Sequence, residues 1–183
     1  DRRMDVISSS IGFDAAGPGD GRGAISKLVE EAGARAVFVQ AAGNEGESQY
    51  RGTFTDVDKN GFHEFTAAGA RPAGVASAED GIEVQLKSGT LRFRPEELLP
   101  LDVYQGRAEV RLAWDDWAPD PDRPKPAHDL DLLVIIPAEK KIYASQEVQA
   151  GRKMAFPLEQ VPVQLGAPQR AGRPGAYALI RRK

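Results

Sequence analysis

Only one stretch of this 183-residue chain repeats its apolar residues at helical spacing. Ala24, Ile25, Leu28, Val29 and Ala32 recur three and four residues apart, while Lys27, Glu30 and Glu31 face elsewhere and Gly33 closes the run. The spacing predicts a single amphipathic helix. Ahead of it, Asp5-Val6-Ile7-Ser8-Ser9-Ser10-Ile11 is β-branched and small and breaks at Gly12, which predicts a short strand. The glycines and Pro18 of residues 13–23 make a loop. After the helix, Ala36-Val37-Phe38-Val39 is almost continuously apolar, the form a strand takes when a parallel sheet is covered on both faces. The first part therefore reads β-α-β, with a right-handed crossover expected.

Past Gly46 the helical period disappears. Residues 47–61 are polar and turn-rich, and from Gly74 onward short alternating segments take over. Ile82 to Leu86 alternates strictly; Leu91 to Phe93, Ala108 to Trp114, Leu130 to Ile136, Lys141 to Ala144 and Tyr177 to Ile180 are further expected strands, with weaker signals at Leu98 to Tyr104 and Val161 to Leu165. So many short strands between Gly and Pro turns fit an antiparallel sandwich or jelly roll better than a βαβ array. Residues 118–127 carry four of the 13 prolines and are expected to be a surface loop between two of those strands. The expected fold class is thus an α/β fragment, a βαβ piece of a parallel sheet over residues 1–73, followed by an antiparallel β-sandwich or jelly roll over residues 74–183.

Charge and cysteine content narrow the function classes. Net charge is -3, with Lys and Arg scattered, so no basic face argues for nucleic acid. The chain has no cysteine, which excludes disulfides, thiol catalysis and Cys-ligated zinc or iron-sulfur centres within it. No apolar run reaches the length of a membrane span, and no opening series looks like a signal peptide. A start at Asp1 without Met suggests a piece of a longer polypeptide.

The second strand of the βαβ unit runs into Ala41-Ala42-Gly43-Asn44-Glu45-Gly46. Ligands and chemistry collect at the carboxyl ends of parallel strands. An Asn held between glycines there can donate its amide to an oxygen that becomes negative, the oxyanion-hole role, although Gly and Asn are also the ordinary turn residues. The strand at Asp5 to Gly12, the helix, the apolar strand and this motif together resemble the middle of a subtilisin-like serine protease over residues 5–46. The resemblance implies that Asn44 is the oxyanion donor. It implies that Ala41, Ala42 and Gly43 form the wall of the pocket for the substrate side chain before the scissile bond, and that Ser10, Ile11 and Gly12 are the edge whose backbone pairs with an extended peptide. Ser8 and Ser9 depart from the family pattern, which more usually has Asn and Met there. By resemblance the partner is a peptide or protein substrate, no cofactor is required, and the setting is extracellular or the cell envelope.

The rest of the triad is missing. A subtilisin-like enzyme takes an Asp and a His from motifs before this segment and a Ser nucleophile from a Gly-Thr-Ser helix start after it. None of these motifs is present, and the two histidines, His63 and His128, follow the Asn motif; both read as loop or strand-edge residues. The chain alone is expected to be inactive. In its second part, Ala108 to Asp116, His128 to Val134, Pro157-Leu158-Glu159 and Gly175 to Ile180 resemble the jelly-roll accessory domains attached to or inserted in bacterial subtilases. A non-enzymatic β-sandwich serving as a binding or structural module is the alternative.

Two places suggest a hard cation. Asp56-Val57-Asp58-Lys59-Asn60-Gly61 matches the first half of an EF-hand loop, with oxygen at alternate positions and Gly at the sharp turn. The bidentate Glu should then fall at Ala67, which has no side-chain oxygen, while Glu64 occupies the ninth position. Calcium at Asp56, Asp58, Asn60 and Glu64 is one expectation, and an Asx-type turn is the other. Farther on, Asp129-Leu130-Asp131-Leu132 puts two carboxylates on one sheet face, read either as a solvated polar face or, with Asp115 and Asp116, as a cation site. Trp114 is in phase with Leu112 and Val110 and so is assigned to the core; Trp117 opens the proline loop, where it either covers an edge or offers a ligand platform.

Overall fold

The computed structural model describes residues 4–12, 17–18, 20–41, 49–66, 81–86, 89–101, 106–118, 120–153, 155–166 and 175–183. The chain divides into two compact units, one of Asp1–Arg51 with Ala113–Ala127 and Gln149–Pro157, the other of Gly52–Leu112 with His128–Val148 and Leu158–Lys183. The boundary expected near Gly74 lies outside the described residues.

In the first unit, strand β1 (Val6–Ser9) and strand β2 (Val37–Gln40) pair in parallel, Val6 opposite Val37 and Ser9 opposite Gln40. Helix α1 (Ala24–Gly33) lies between them in the chain and packs beside β2. Because strand side chains alternate, Val6, Ser8, Val37 and Val39 share one face and Ile7, Ser9, Phe38 and Gln40 the other. Ile7 and Phe38 are half-buried, whereas Val6, Val37 and Val39 are 60%, 62% and 51% exposed. The helix buries no residue at all, and Leu28 on its apolar stripe is 61% exposed.

The core of this unit comes from elsewhere in the sequence. Trp117 is 2% exposed, Pro124, Pro126, Pro157, Gly23 and Gln149 are buried, and Phe156 packs tilted against Trp117 with ring centroids 5.9 Å apart. Two backbone bonds, Gly151 N–H to Pro126 O at 2.7 Å and Trp114 N–H to Pro157 O at 3.2 Å, tie the two loops together. The prolines expected on the surface are therefore partly core residues. With no N–H to leave unpaired, a buried proline carries a smaller polar cost than other loop residues.

The second unit is built on a four-stranded antiparallel sheet in the order β5 (Leu99–Leu101), β10 (Ala176–Arg182), β7 (Leu130–Ile136), β8 (Lys141–Ser145). A hairpin of β3 (Ile82–Leu86) and β4 (Gly89–Phe93) and a pair of β6 (Gly106–Ala113) and β9 (Leu158–Leu165) make two further sheets. The expected strands all occur, including the two with weaker signals. Leu133, Ile135, Tyr177 and Leu179 pack with Val84, Phe93 and Leu98, while Leu132, Val134, Ile136, Ala176 and Ala178 pack with Val161, Val163 and Leu165. The two sets alternate along β7 and β10, so the central sheet carries a core on each face and all seven residues of β7 are buried. Each such aliphatic side chain contributes about 1.5–3 kcal/mol by leaving water. At the entry to β3, Gly81 has φ 78° and an added Cβ would sit 2.0 Å from the Phe93 carbonyl oxygen, so only glycine lets the hairpin close there.

Candidate functional site

The parallel pair brings two of the sequence-predicted segments to one end. The Ala41 N–H donates to the Ser9 carbonyl at 2.9 Å, continuing the ladder one residue past β2. The Gln40 side-chain amide donates to the Ile11 carbonyl at 3.0 Å, and the Ile11 N–H reaches the Ser9 hydroxyl at 3.4 Å. Ser10, Ile11 and Gly12 thus turn away at the carboxyl end of β1 beside Ala41, and all four are exposed. Ile11 is 64% exposed, an apolar side chain just past the end of β1. Ala42, Gly43 and Asn44 lie outside the described residues.

Helix α1 begins at Ala24. Gly23, at φ 98°, supplies no side-chain cap. The cap comes from far along the chain: the Asp122 carboxylate accepts the Ala24 N–H and pairs with the Lys27 ammonium at 2.7 Å. The Lys27 partner, with the Ala24 N–H adding to it, holds the Asp122 carboxyl below the usual carboxylate range. An acid at a helix N-terminus satisfies unpaired N–H groups and meets the positive end of the dipole. Nothing local in the sequence marks Asp122 for this role.

In the second unit the EF-hand-like segment forms a closed turn. One Asp56 oxygen accepts the Asn60 N–H and the other the Gly61 N–H, each at 3.0 Å, and the Phe62 N–H donates to the Asn60 side-chain oxygen at 2.8 Å. Lys59 and Gly61 adopt positive φ, 60° and 90°, as a tight acidic turn demands. Asp58 pairs with Arg94 at 2.5 Å, and the Asn60 amide donates to Asp58 and, at 2.6 Å, to Glu97, a residue only 2% exposed. Asp56, Asp58 and Asn60 are brought together; Glu64 is 7% exposed and donates its N–H to Thr55 O at 2.8 Å. Ala67 lies outside the described residues, among which no group of three or more His, Asp or Glu side chains is arranged to hold a metal. The donors that already face these oxygens fit an Asx turn, and a calcium ion would have to compete with the Arg94 guanidinium for Asp58.

The pair Asp129 and Asp131 is not a solvated face. Asp131 is 0% and Asp129 7% exposed. Arg181, directly opposite Asp131 in the β7–β10 register, donates to its Oδ2 from Nε at 3.0 Å and from a second guanidinium nitrogen. The Lys183 ammonium stands 3.0 Å from Asp131 Oδ1, as an ion pair without hydrogen-bond alignment, and 3.8 Å from Asp129. Burial of a carboxylate is tolerated only with such compensation. The cations that answer Asp131 are the chain's own.

His128 is exposed, as a loop residue should be. His63 is 2% exposed, a burial that the reading as a loop or strand-edge residue did not signal. Trp117 is buried and offers no platform to a ligand.

No protein-family model, curated protein or solved structure matches this chain.

Proposed function

We propose that the chain is part of a subtilisin-like serine endopeptidase, its first segment belonging to the catalytic domain and its antiparallel sheets to a jelly-roll insertion. The observation that carries this reading is the parallel β1–β2 pair with α1 between, ending where Ser10 to Gly12 meet Ala41 through the Gln40 amide and the Ser9 carbonyl. The chemistry is acyl transfer. A Ser, His and Asp from outside these residues attack the peptide carbonyl, move the proton and orient the imidazole, and Asn44 donates to the tetrahedral oxyanion. Ser10, Ile11 and Gly12 pair with the substrate backbone, and Ala41, Ala42 and Gly43 wall the adjoining pocket. The extracellular or cell-envelope setting follows from the same resemblance.

The uncovered Val6, Val37 and Val39 face supports the reading independently. A parallel sheet is stable when both faces are covered, so this unit calls for further structure over that face.

The test uses the complete polypeptide with a fluorophosphonate active-site probe and a peptide substrate. Labelling is expected, and Asn44→Ala should lower kcat by about a hundredfold to a thousandfold, a magnitude borrowed from loss of the side-chain donor in subtilisin itself. No labelling of a folded full-length protein would sink the protease reading. The second reading, a β-sandwich binding or structural module, is favoured by one observation: the second unit closes two hydrophobic cores from its own strands.

A further inference from the structure

Residues 53–66 form an arm laid against the end of β10. The His63 N–H donates to Ile180 O and the Arg182 N–H to Gly61 O, both at 2.8 Å, with Phe62 bridging to Arg181. The arm folds back on itself through Glu64 N–H to Thr55 O, and the Phe65 N–H reaches Glu96 O at 2.7 Å. The His63 ring sits at its centre. Phe54 stacks on it with centroids 5.4 Å apart, Phe65 meets it edge-on at 4.6 Å, and the Thr55 N–H donates to Nδ1 at 2.9 Å. Burial between two phenyl rings, with Nδ1 accepting, disfavours the charged form of the imidazole.

We propose that residues 53–66 are an acid-released strap, in which proton uptake by the His63 imidazole unseats the arm from the end of β10. A proton on Nδ1 removes the acceptor of the Thr55 N–H and turns a donor toward the Thr55 carbonyl, 3.2 Å away. It also places a charge in a pocket walled by Phe54 and Phe65. Burial lowers the His63 pKa below its ordinary value, against smaller raising effects from the Thr55 backbone and the Glu64 charge.

The charged groups on the surrounding elements are mostly committed. On the arm, Glu64 is buried beside His63 and Asp58 is bound to Arg94. On β10, Arg181 is taken by Asp131, and Arg182 follows it. From the turn before β5, Glu97 is held by Asn60 and by the Arg94 N–H, and Glu96 lies 4.0 Å from Arg94. Of these neighbours only Glu64 favours the imidazolium in the His63 balance.

With its folded pKa lowered, His63 contributes stability that is present above its unfolded value of about 6.5 and lost as pH falls through that value and the lowered one. Carboxylates titrate near 4, so the loss sets in above their range, where the unfolded imidazole begins to take up its proton. Opening exposes the Ile180 and Arg182 backbone as a free edge and carries the Asp56–Gly61 turn away with the arm.

Amide exchange on the whole chain at pH 7.5 and 5.5, corrected for intrinsic rates, tests this. Protection at His63, Glu64, Phe65 and Arg182 should fall at pH 5.5 by up to about tenfold, the ceiling for one proton one unit below its unfolded pKa, with β7 unchanged. With only two histidines in the chain, His128→Gln leaves one imidazole signal, whose NMR titration reports His63 directly. His63→Phe should keep its arm protection at pH 5.5. Unchanged protection while the His63 signal titrates would overturn the proposal, as would an imidazole that stays neutral into the carboxylate range. Equal losses in wild type and His63→Phe would overturn it too. Where His63→Phe fails to fold, the wild-type titration and exchange decide alone.

Discussion

The two units solve the covering of a sheet in opposite ways. In the second, β7 is buried along its whole length, with one core on each face. In the first, β1 and β2 leave Val6, Val37 and Val39 more than half exposed, and α1 buries none of its residues. Both β2 and β7 are mostly apolar, with one polar residue each, so strand composition alone does not make the difference. What differs is which residues are buried: β7 is packed on both faces by residues of its own unit, whereas in the described part of the first unit Trp117, three prolines, Gly23 and Gln149 are buried and no residue of β1, α1 or β2 is.

The largest effect should come from the closed core. Ile135→Ala, at a position 0% exposed, is expected to cost about 4 kcal/mol by urea unfolding, whereas Leu28→Ala on the open helix should change stability by no more than about 0.5 kcal/mol. A comparable loss at Leu28 in this chain would erase the contrast. A smaller effect is expected at Asp131→Asn, about 2 kcal/mol, because Arg181 and Lys183 keep their charges and lose the carboxylate between them; a neutral result would show that both cations reach water freely. The smallest concerns Asp122. With its folded pKa lowered, the Asp122 contribution is present above the ordinary carboxylate pKa and lost as pH falls through the lowered value. Exchange of the first-turn amides of α1 should therefore rise in Asp122→Asn at neutral pH and converge with wild type in acid. Identical protection at neutral pH would remove the cap from the account.

Local pattern made the strands legible. Alternation in Ile82–Leu86, the apolar run at Leu130–Ile136 and the helical spacing at Ala24 to Ala32 each reflect the period of the element that forms. Partnerships across long separations were not legible. Asp131 looked like one half of a polar face because Arg181 lies 50 residues on, and Asp122 lies 95 residues past Lys27, the helix residue it pairs with. Trp117 read as an edge cover or a ligand platform because a proline loop is ordinarily external, and His63 as a loop or strand-edge residue, with nothing local to show that Phe54 and Phe65 close over it. At the candidate site, the residues that carry the resemblance could be named from sequence, and Gln40, which joins Ile11 to the second strand, could not: its amide matters only through the parallel register.

Both tryptophans of the chain, Trp114 and Trp117, fall in the first unit. Intrinsic fluorescence consequently watches the loop cluster around Trp117, while far-ultraviolet circular dichroism is dominated by the strands of the second unit. A denaturation followed by both signals separates the two regions without a label: coincident midpoints mean that the Trp117 cluster melts with the antiparallel sheets, and an earlier fluorescence transition marks it as a separately cooperative piece.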